Sequence, residues 1–372
     1  MNILHINSEY SNKSLHKNLV NSLVGRVSHQ YVYVPLRKAS GIDENKIVDQ
    51  NITFYYANIL NFFLRLRYFR KIKKIFRDLE NKISNKNIDL VHAHTLFSSG
   101  GGAYLVNRIY NTPYIITVRN TDINIFYKYF FYLKPFSYKI LKNASKIIVL
   151  SPKYKHHLKR KLPEKYAFSL DNKIISIPNG IDDFWFSNIN KSKKTISGKI
   201  KLLFVGDLNA NKNVWNVIEL VKRLNEKRIL SELVVIGDGK YREKVIKEAS
   251  KYRFLTFYPK TESKATLLEF YRNADIFVMP SFRETFGLVY GEAMSQGLPV
   301  IYSKGQGIDG YFEEGEVGYS VNPKDLNDIA YKVQLILKNY KTISKNCIKN
   351  VQQFKWETIA YIYKNIYNEC IR

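Results

Sequence analysis

The stretch from Asp275 to Ser303 constrains the fold of this chain more than any other. Ile276 to Met279 is a short apolar run closed by Pro280 and Ser281, the pattern of a strand buried on both faces. Thr285 is placed to cap a helix beginning at Phe286. Gly297 and Pro299 end that helix, because glycine accepts the left-handed geometry just past a helix and proline cannot extend it. Val300 to Tyr302 then resumes as a strand. Strand, helix and strand in close succession form a βαβ unit, which obliges a parallel sheet.

Such a unit carries its chemistry where strand passes to helix. The helix start is expected to present the N–H groups of Phe286, Gly287 and Leu288 beside the positive end of the dipole, an anion site that suits phosphate. Gly287 has no side chain to obstruct approach. Glu284 stands just before the helix. Glu292 lies seven residues beyond Thr285, just under two turns at about 3.6 residues per turn, on the same face. One carboxylate could hold hydroxyls beyond the phosphates and the other a ribose diol. The plainer alternative is a capped amphipathic helix whose acids favour its N-terminal half.

Glu284-x7-Glu292, with Pro280-Ser281 before it and Glu292-Ala-Met-x-x-Gly-x-Pro-Val after it, resembles the signature of retaining GT-B glycosyltransferases. The likeness is closest to family four, with its many capsule, lipopolysaccharide and phosphoinositide sugar transferases. It implies an α/β fold of two facing Rossmann-like domains with an interdomain cleft. Residues 1–180 would be the acceptor-binding domain and residues 181–355 the nucleotide-sugar-binding domain. Residues 356–372 would form a helix crossing back to the first. In that family the first Glu contacts the donor sugar, the second holds the ribose, and the helix start binds the diphosphate. Carried over, this makes Glu284, Thr285, Phe286, Gly287, Leu288 and Glu292 donor-site residues.

The second domain opens with Lys201-Leu-Leu-Phe-Val-Gly206 and a helix from about Val214. The family follows that glycine with an Arg, and with a Lys six residues after it; both neutralise the diphosphate. Gly206 and Lys212 match, but Asp207 stands where the Arg would be. A carboxylate beside a diphosphate costs affinity, so Asp207 must point away or Arg283, Arg119 or Lys304 must supply the charge. Gly237 and Gly239 match the family's Gly-x-Gly turn near the nucleotide, and Phe254 to Lys260 falls where the base packs. Gly305 to Gly310 would close over the sugar, with Asp309, Glu313 and Glu314 as candidates for a further acid. Asp325 is placed to cap a helix through Leu337.

The first half reads as a second α/β domain, with strands at Asn2–Asn7, Tyr31–Pro35, Asp89–His94, Tyr114–Val118, Lys146–Ser151 and Ile174–Ile177. The loop Ser8 to Ser14 lacks the Gly-Gly pair common in the resembled family. His92 and His94 end the third strand; with no acid or cysteine beside them they suit a structural role or substrate contact better than a metal. Gly100 to Gly102 would bring backbone close to the cleft. Arg119 takes the place of a family histidine facing the donor sugar. It can hold phosphate or hydroxyls but cannot act as a base at neutral pH; a surface ion pair with Asp122 is its alternative. The catalytic candidates are therefore Glu284, Lys212 and Arg119. Ser176 to Asp182 resembles the family's hinge.

At 372 residues the chain is long enough for about two domains. Cys347 and Cys370 are its only cysteines, too few for a disulfide framework or zinc site, and fit a reducing cytoplasm. The opening residues read as a strand, not a signal peptide, and no apolar run reaches the roughly 18 residues of a membrane span. A net charge of +27 suits an anionic partner. Two stretches are both basic and aromatic: Tyr55 to Arg77, which includes Phe62 and Leu66, and Phe126 to Lys142. Basic ground with aromatic anchors is the pattern of an interfacial membrane segment; a core-facing helix with a solvated basic back is the alternative. No nucleic-acid recognition module is present.

The resemblance implies a hexosyltransferase moving sugar from a UDP- or GDP-sugar to a glycan or lipid-linked acceptor, with retention and without a metal cofactor. Its place would be the cytoplasm, peripheral on the inner face of the membrane. The absence of an Asp-x-Asp pair agrees with metal independence. A Rossmann oxidoreductase is disfavoured because residues 2–102 lack the glycine fingerprint and its acidic partner. A non-catalytic basic membrane- or nucleic-acid-binding protein is the other alternative.

Overall fold

The computed structural model describes residues 1–12, 14–37, 45–61, 63–65, 67–190, 192, 195–196 and 198–371. The chain divides into two units, Met1–Gly180 with Trp356–Arg372, and Ile181–Lys355.

The first unit is built on seven parallel strands: β1 (Asn2–Ile6), β2 (His29–Pro35), β3 (Ile52–Ala57), β4 (Leu90–Ala93), β5 (Tyr114–Thr117), β6 (Lys146–Val149) and β7 (Ile174–Ser176). They lie in the order β3-β2-β1-β4-β5-β6-β7. Their apolar runs are what a parallel sheet covered on both faces requires. Along β1, Ile3 points to one face while Leu4 and Ile6 point to the other. Helices Tyr68–Ile83, Gly100–Tyr110 and Lys134–Asn143 cover the second face. The first face is covered by Ser14–Ser22 and by the C-terminal helix Trp356–Ile371, which lays Trp356, Ile359, Ala360, Tyr363, Ile366 and Tyr367 against Ile3, Leu90, Ile115 and Ile148.

Three elements of this unit differ from the sequence reading. Strand β3 was not anticipated: it is an edge strand whose residues between Ile52 and Ala57 are all half-buried, so it shows no alternation to read. The helix within the basic stretch begins only at Tyr68, with Tyr55 and Tyr56 in β3; Phe62 and Leu66 lie outside the described residues. Gly100 to Gly102 form the buried first turn of a helix. A Cβ at Gly100 would lie 2.5 Å from Ile116 Cδ1, and one at Gly101 would lie 2.9 Å from Ile72. These two glycines let a helix close onto the sheet and onto its neighbour.

The second unit has six parallel strands, β8 (Ile200–Val205), β9 (Ser231–Gly237), β10 (Leu255–Pro259), β11 (Ile276–Val278), β12 (Val300–Ser303) and β13 (Gly318–Val321). Their order is β10-β9-β8-β11-β12-β13. From β8 the chain winds outward through β9 to β10, then returns to β11 and winds the other way. In doubly wound sheets the crevice at such a reversal, at the carboxyl ends of the strands, is where ligands bind. Asp325 caps the helix Leu326–Lys338, its carboxylate accepting from Asn327 and Asp328 N–H.

In the first unit, a Cβ at Gly180 would lie 2.3 Å from Trp356 Cδ2, so the start of the C-terminal helix depends on that glycine. Gly180→Ala is expected to cost about 1–3 kcal/mol, the usual range for overpacking. Urea denaturation should show the loss, and limited proteolysis should free the Trp356–Ile371 helix faster than in the parent.

Candidate active site

Two loops face each other across the reversal in the second unit: one follows β8 and the other follows β11. The β8 loop is organised by alternate asparagines. Asn209 Oδ1 accepts the N–H groups of Asn211 at 2.9 Å and Lys212 at 3.1 Å. Asn211 Nδ2 donates to the Arg283 carbonyl at 2.9 Å, and its own carbonyl accepts Phe282 N–H at 2.8 Å. Asn213, in a left-handed conformation with φ 61°, donates to the carbonyls of Pro280 and Pro323 at 3.1 and 2.7 Å. Such a conformation is one asparagine tolerates better than most residues. The helix Val214–Glu226 starts directly after it.

Lys212 and Glu284 are brought together by this lacing. Lys212 Nζ lies 2.5 Å from Glu284 Oε2, with side chains only 19% and 13% exposed. Glu284 is gripped from several sides. Its Oε1 accepts Thr285 N–H at 3.1 Å, its N–H donates to Gln306 Oε1 at 3.0 Å, and its carbonyl accepts Gly307 N–H at 2.9 Å. The glycine-rich turn after β12 thus acts as a brace behind Glu284, with Gly305 N–H held by the buried Asp309. Glu314 turns to Ser320, donating nothing to this site.

The helix after β11 starts later than the sequence suggested. It runs Leu288–Ser295, and Gly287, at φ 78°, occupies the N-cap position in place of Thr285. Contacts from Lys212, Gln306 and Gly307 hold the preceding segment outside the helix, and only glycine readily takes the dihedral angle at the junction. Thr285 and Leu288 are half-buried, whereas the Phe286 ring packs against Phe354 at 5.1 Å, so Phe286 can offer a ligand its backbone alone. Glu292 is the fifth helical residue, about one turn in, and not the two turns expected. Tyr271 donates its hydroxyl to Glu292 Oε2 at 3.0 Å, and burial pushes the Glu292 carboxyl up to about 7. Lys264 and Asp182 stand beside it, paired at 2.6 Å.

Gly237 and Gly239 have a structural reason that needs no ligand, whereas a Cβ at Gly206 would meet nothing nearer than Met279 Sδ at 3.3 Å. A Cβ on Gly237 would lie 2.0 Å from the Gly206 carbonyl oxygen. Gly239 has φ 141°, and its Cβ would lie 2.8 Å from the Leu208 carbonyl oxygen. Asp207 is exposed, with the Lys260 ammonium within electrostatic reach. Arg283 and Lys304 are exposed as well.

Arg119 belongs to the first unit. Its guanidinium donates to the His94 carbonyl at 3.3 Å and to Asn179 Oδ1 at 3.4 Å. The surface ion pair with Asp122 is not what forms. Asp122 is 1% exposed, and its carboxylate accepts the N–H groups of Leu96, Phe97 and Arg119 at 3.0, 3.1 and 2.9 Å. It therefore locks the loop after β4 to the loop after β5. Burial nonetheless raises its carboxyl to about 6, against the lowering effect of those three amides.

A cluster of histidines underlies Arg119. His5, from β1, joins His92 and His94, and their ring nitrogens lie within 4.8 Å of one another. Such a trio is capable of holding a metal. Four of the six ring nitrogens have partners: His5 Nδ1 meets His94 Nε2 at 3.0 Å, and His92 meets the hydroxyls of Tyr367 at 2.8 Å and Thr117 at 3.0 Å, while His5 Nε2 and His94 Nδ1 are buried without one among the described residues. Arg119 also lies close enough to disfavour charge on His92 and His94. The arrangement is a buried hydrogen-bonded chain tying β1, β4 and β5 to the C-terminal helix. Sequence reading missed His5, Asn209, Asn211, Asn213, Tyr271 and Gln306. Only the alternating asparagines ahead of a helix offered a local signal.

The comparisons with known proteins agree with this architecture. A family profile described as "Glycosyl transferases group 1" matches residues 186–354, and one described as "Glycosyltransferase Family 4" matches residues 17–183. The chain is 28% identical over 304 residues to an uncharacterized glycosyltransferase of Methanocaldococcus jannaschii, covering 78% of each. It is 31% identical over 170 residues to the sulfoquinovosyl transferase of Arabidopsis thaliana, covering 44% of this chain and 32% of that one. It is 28% identical over 190 residues to the capsular polysaccharide biosynthesis glycosyltransferase CapM of Staphylococcus aureus, covering 48% and 50%. The chain thus spans about a third of the plant relative and half of the capsular one. Among solved structures, a sucrose-phosphate synthase of Thermosynechococcus elongatus superposes with TM-score 0.75 at 20% identity, covering 99% and 98%. Anabaena HepE in complex with UDP superposes with TM-score 0.72 at 15% identity, covering 99% and 100%.

The buried groups give the two units opposite responses to acid. Burial depresses His5 to about 4 and holds His92 and His94 well below the ordinary 6.5. Their contribution is fully present above pH 6.5 and is lost as pH falls below it, at about 1.4 kcal/mol per pH unit for each ring still unprotonated in the folded state. Asp122, with its raised value, offsets one ring below about pH 6. In the second unit Glu292 is raised to about 7, so its contribution is present at low pH and is lost as pH rises through 7. Hydrogen exchange at pH 7.5 and 5.5 should show amides of β4 and β5 losing protection on acidification. Amides of the Leu288–Ser295 helix should hold or gain it.

Proposed function

Since the chain belongs to the family 4 glycosyltransferases of GT-B fold, we propose that it transfers a hexose-type sugar from a UDP- or GDP-sugar to a glycan or lipid-linked acceptor in cell-surface polysaccharide synthesis. The observation that carries this reading is the pairing of Lys212 with Glu284 at the strand reversal of the second unit, beside the helix start at Gly287 and Leu288. Lys212 and the helix start would stabilise the charge growing on the departing diphosphate. Glu284 would orient the sugar, and Glu292, anchored by Tyr271, would hold the ribose diol. Arg119 is proposed as a further ligand for phosphate or sugar hydroxyls.

Retention of anomeric configuration fits a front-face route, in which an oxygen of the donor phosphate takes the acceptor proton as the new glycosidic bond forms. Glu284 is engaged by Lys212 and Thr285 N–H, which suits a positioning carboxylate better than a nucleophile. Metal independence is part of the proposal, because Lys212 and helix dipole supply positive charge where the phosphates would lie. The capsular relative supports a surface polysaccharide as product, and the UDP complex of HepE supports a nucleoside diphosphate sugar as donor.

An anionic membrane surface is the proposed site of work. Among the described residues no helix is long and apolar enough to cross a membrane. The two basic, aromatic stretches meet in the fold, with the Phe69 and Phe136 rings 5.3 Å apart. Within the same two stretches Phe63 and Phe131 are 74% and 70% exposed, and Arg67, Arg70, Lys73 and Lys128 are exposed. Exposed aromatic anchors among cations suit an interface of anionic lipid.

With chelator present, UDP or GDP at about 100 times its dissociation constant should stabilise the protein by about 2.7 kcal/mol. Glu292→Gln should weaken nucleotide binding by about 1–3 kcal/mol, and Glu284→Gln should lower turnover. Calorimetry and a transfer assay measure these effects; no response to any nucleoside diphosphate would remove the reading. The protein should also sediment with anionic vesicles and be released by salt, whose screening length is about 8 Å at physiological strength. Equal binding to neutral vesicles would remove the electrostatic part.

A further inference from the structure

The Lys212–Glu284 pair has a consequence for what the site selects. We propose that this ion pair discriminates between the sugar nucleotide and the free nucleoside diphosphate, favouring the donor over the product it becomes. The inference rests on the donor site proposed above and concerns how its two charged groups are coupled.

The two partners are unequally held. Glu284 is fixed by its own backbone, whose N–H and carbonyl are bonded to Gln306 and Gly307, and by Thr285 N–H at Oε1. Lys212 is anchored at its backbone by Asn209, but its ammonium rides on a flexible four-carbon stem. A diphosphate that draws Lys212 toward itself therefore moves the ammonium and leaves the carboxylate in place. That carboxylate is 13% exposed, so water can replace only part of what it loses. A buried charge stripped of its partner is costly.

The sugar nucleotide brings the remedy with it. Hydroxyls of the hexose donate to Glu284 as the phosphates accept from Lys212, so both charges exchange one partner for another. A free nucleoside diphosphate brings only anionic oxygens, takes Lys212, and leaves Glu284 facing negative charge. Asp207, in place of the family's arginine, adds no cation to soften that penalty. The pair thus re-forms readily when the sugar has gone, and its recovery helps to release the product.

Calorimetric titration of UDP, GDP, UDP-glucose and GDP-mannose into the parent, Lys212→Met and Glu284→Gln tests this. For the base that binds, Glu284→Gln is expected to tighten the free diphosphate about tenfold, or about 1.4 kcal/mol. The same substitution should leave the sugar nucleotide unchanged or weaker, reversing the order of the two affinities. Lys212→Met should weaken both ligands. If Lys212→Met weakens binding while Glu284→Gln leaves the free diphosphate at the parent affinity, the donor site stands and the discriminator is wrong. If Lys212→Met changes neither, the donor site itself is misplaced and the discriminator falls with it. Should Glu284→Gln fail to fold by circular dichroism, Glu284→Ala, which also removes the charge, decides: tighter binding of the free diphosphate than in the parent supports the discriminator, and unchanged or weaker binding overturns it.

Discussion

Parallel strands leave their carboxyl ends open, and where two adjacent strands send their continuations in opposite directions no connection crosses the gap. The paired charges of the second unit are placed by the gap between β8 and β11. The loop after β8 carries Lys212, the loop after β11 carries Glu284, and the turn after β12 braces Glu284 from behind. The sheet also explains the glycines on this edge. With β9 beside β8, the Gly206 carbonyl points where a Gly237 side chain would stand. Those glycines answer first to the distance between neighbouring backbones, and any approach by a ligand is a second use of the same space.

The first unit meets the same constraint differently. Its reversal lies between β1 and β4, and there the strand ends carry histidines in place of a flexible cation. The ring stack of His92 on His94, with His5 beside them, fills the base of the gap with groups kept neutral by burial. Hydrogen bonds from His92 to Thr117 and Tyr367 extend the chain sideways, so that the C-terminal helix is tied to the strand ends by more than apolar packing. Asp122 performs a similar service for the loops above, through backbone amides instead of side chains. Breaking any of these bonds would strand a further buried donor or acceptor, which favours the one geometry.

How much of this was legible from the sequence follows the range of the interactions involved. Apolar runs bounded by glycine and proline located the central βαβ unit and most strands, because strand burial on both faces is a local property of composition. Strand β3 escaped because an edge strand of evenly half-buried residues has neither alternation nor a closed apolar run. The start of the helix after β11 was misplaced by two residues, from Phe286 to Leu288. Thr285 is a better cap than glycine by local preference, but Lys212 and Gln306 hold the segment before Gly287 from 72 and 22 residues away. Tyr271 could not be read as the partner of Glu292, nor His5 as the partner of His94, since 21 and 89 residues separate them.

The use of amides and not charges in the β8 loop completes the argument about selectivity. Asn209, Asn211 and Asn213 satisfy backbone groups of their own loop and of the facing one with neutral donors and acceptors. A lysine or arginine in any of these places could make some of the same bonds to carbonyls, but it would compete with Lys212 for Glu284 and would hold a diphosphate without regard to what the diphosphate carries. A chain with net charge +27 has no shortage of attraction for phosphate at long range. On the proposed reading the site must add discrimination, which would come from limiting the cations at the contact to ones already committed to an acid. Asp207 fits the same logic. Exposed at the rim with Lys260 nearby, it lowers the positive potential of the loop and leaves Lys212 as its organised charge.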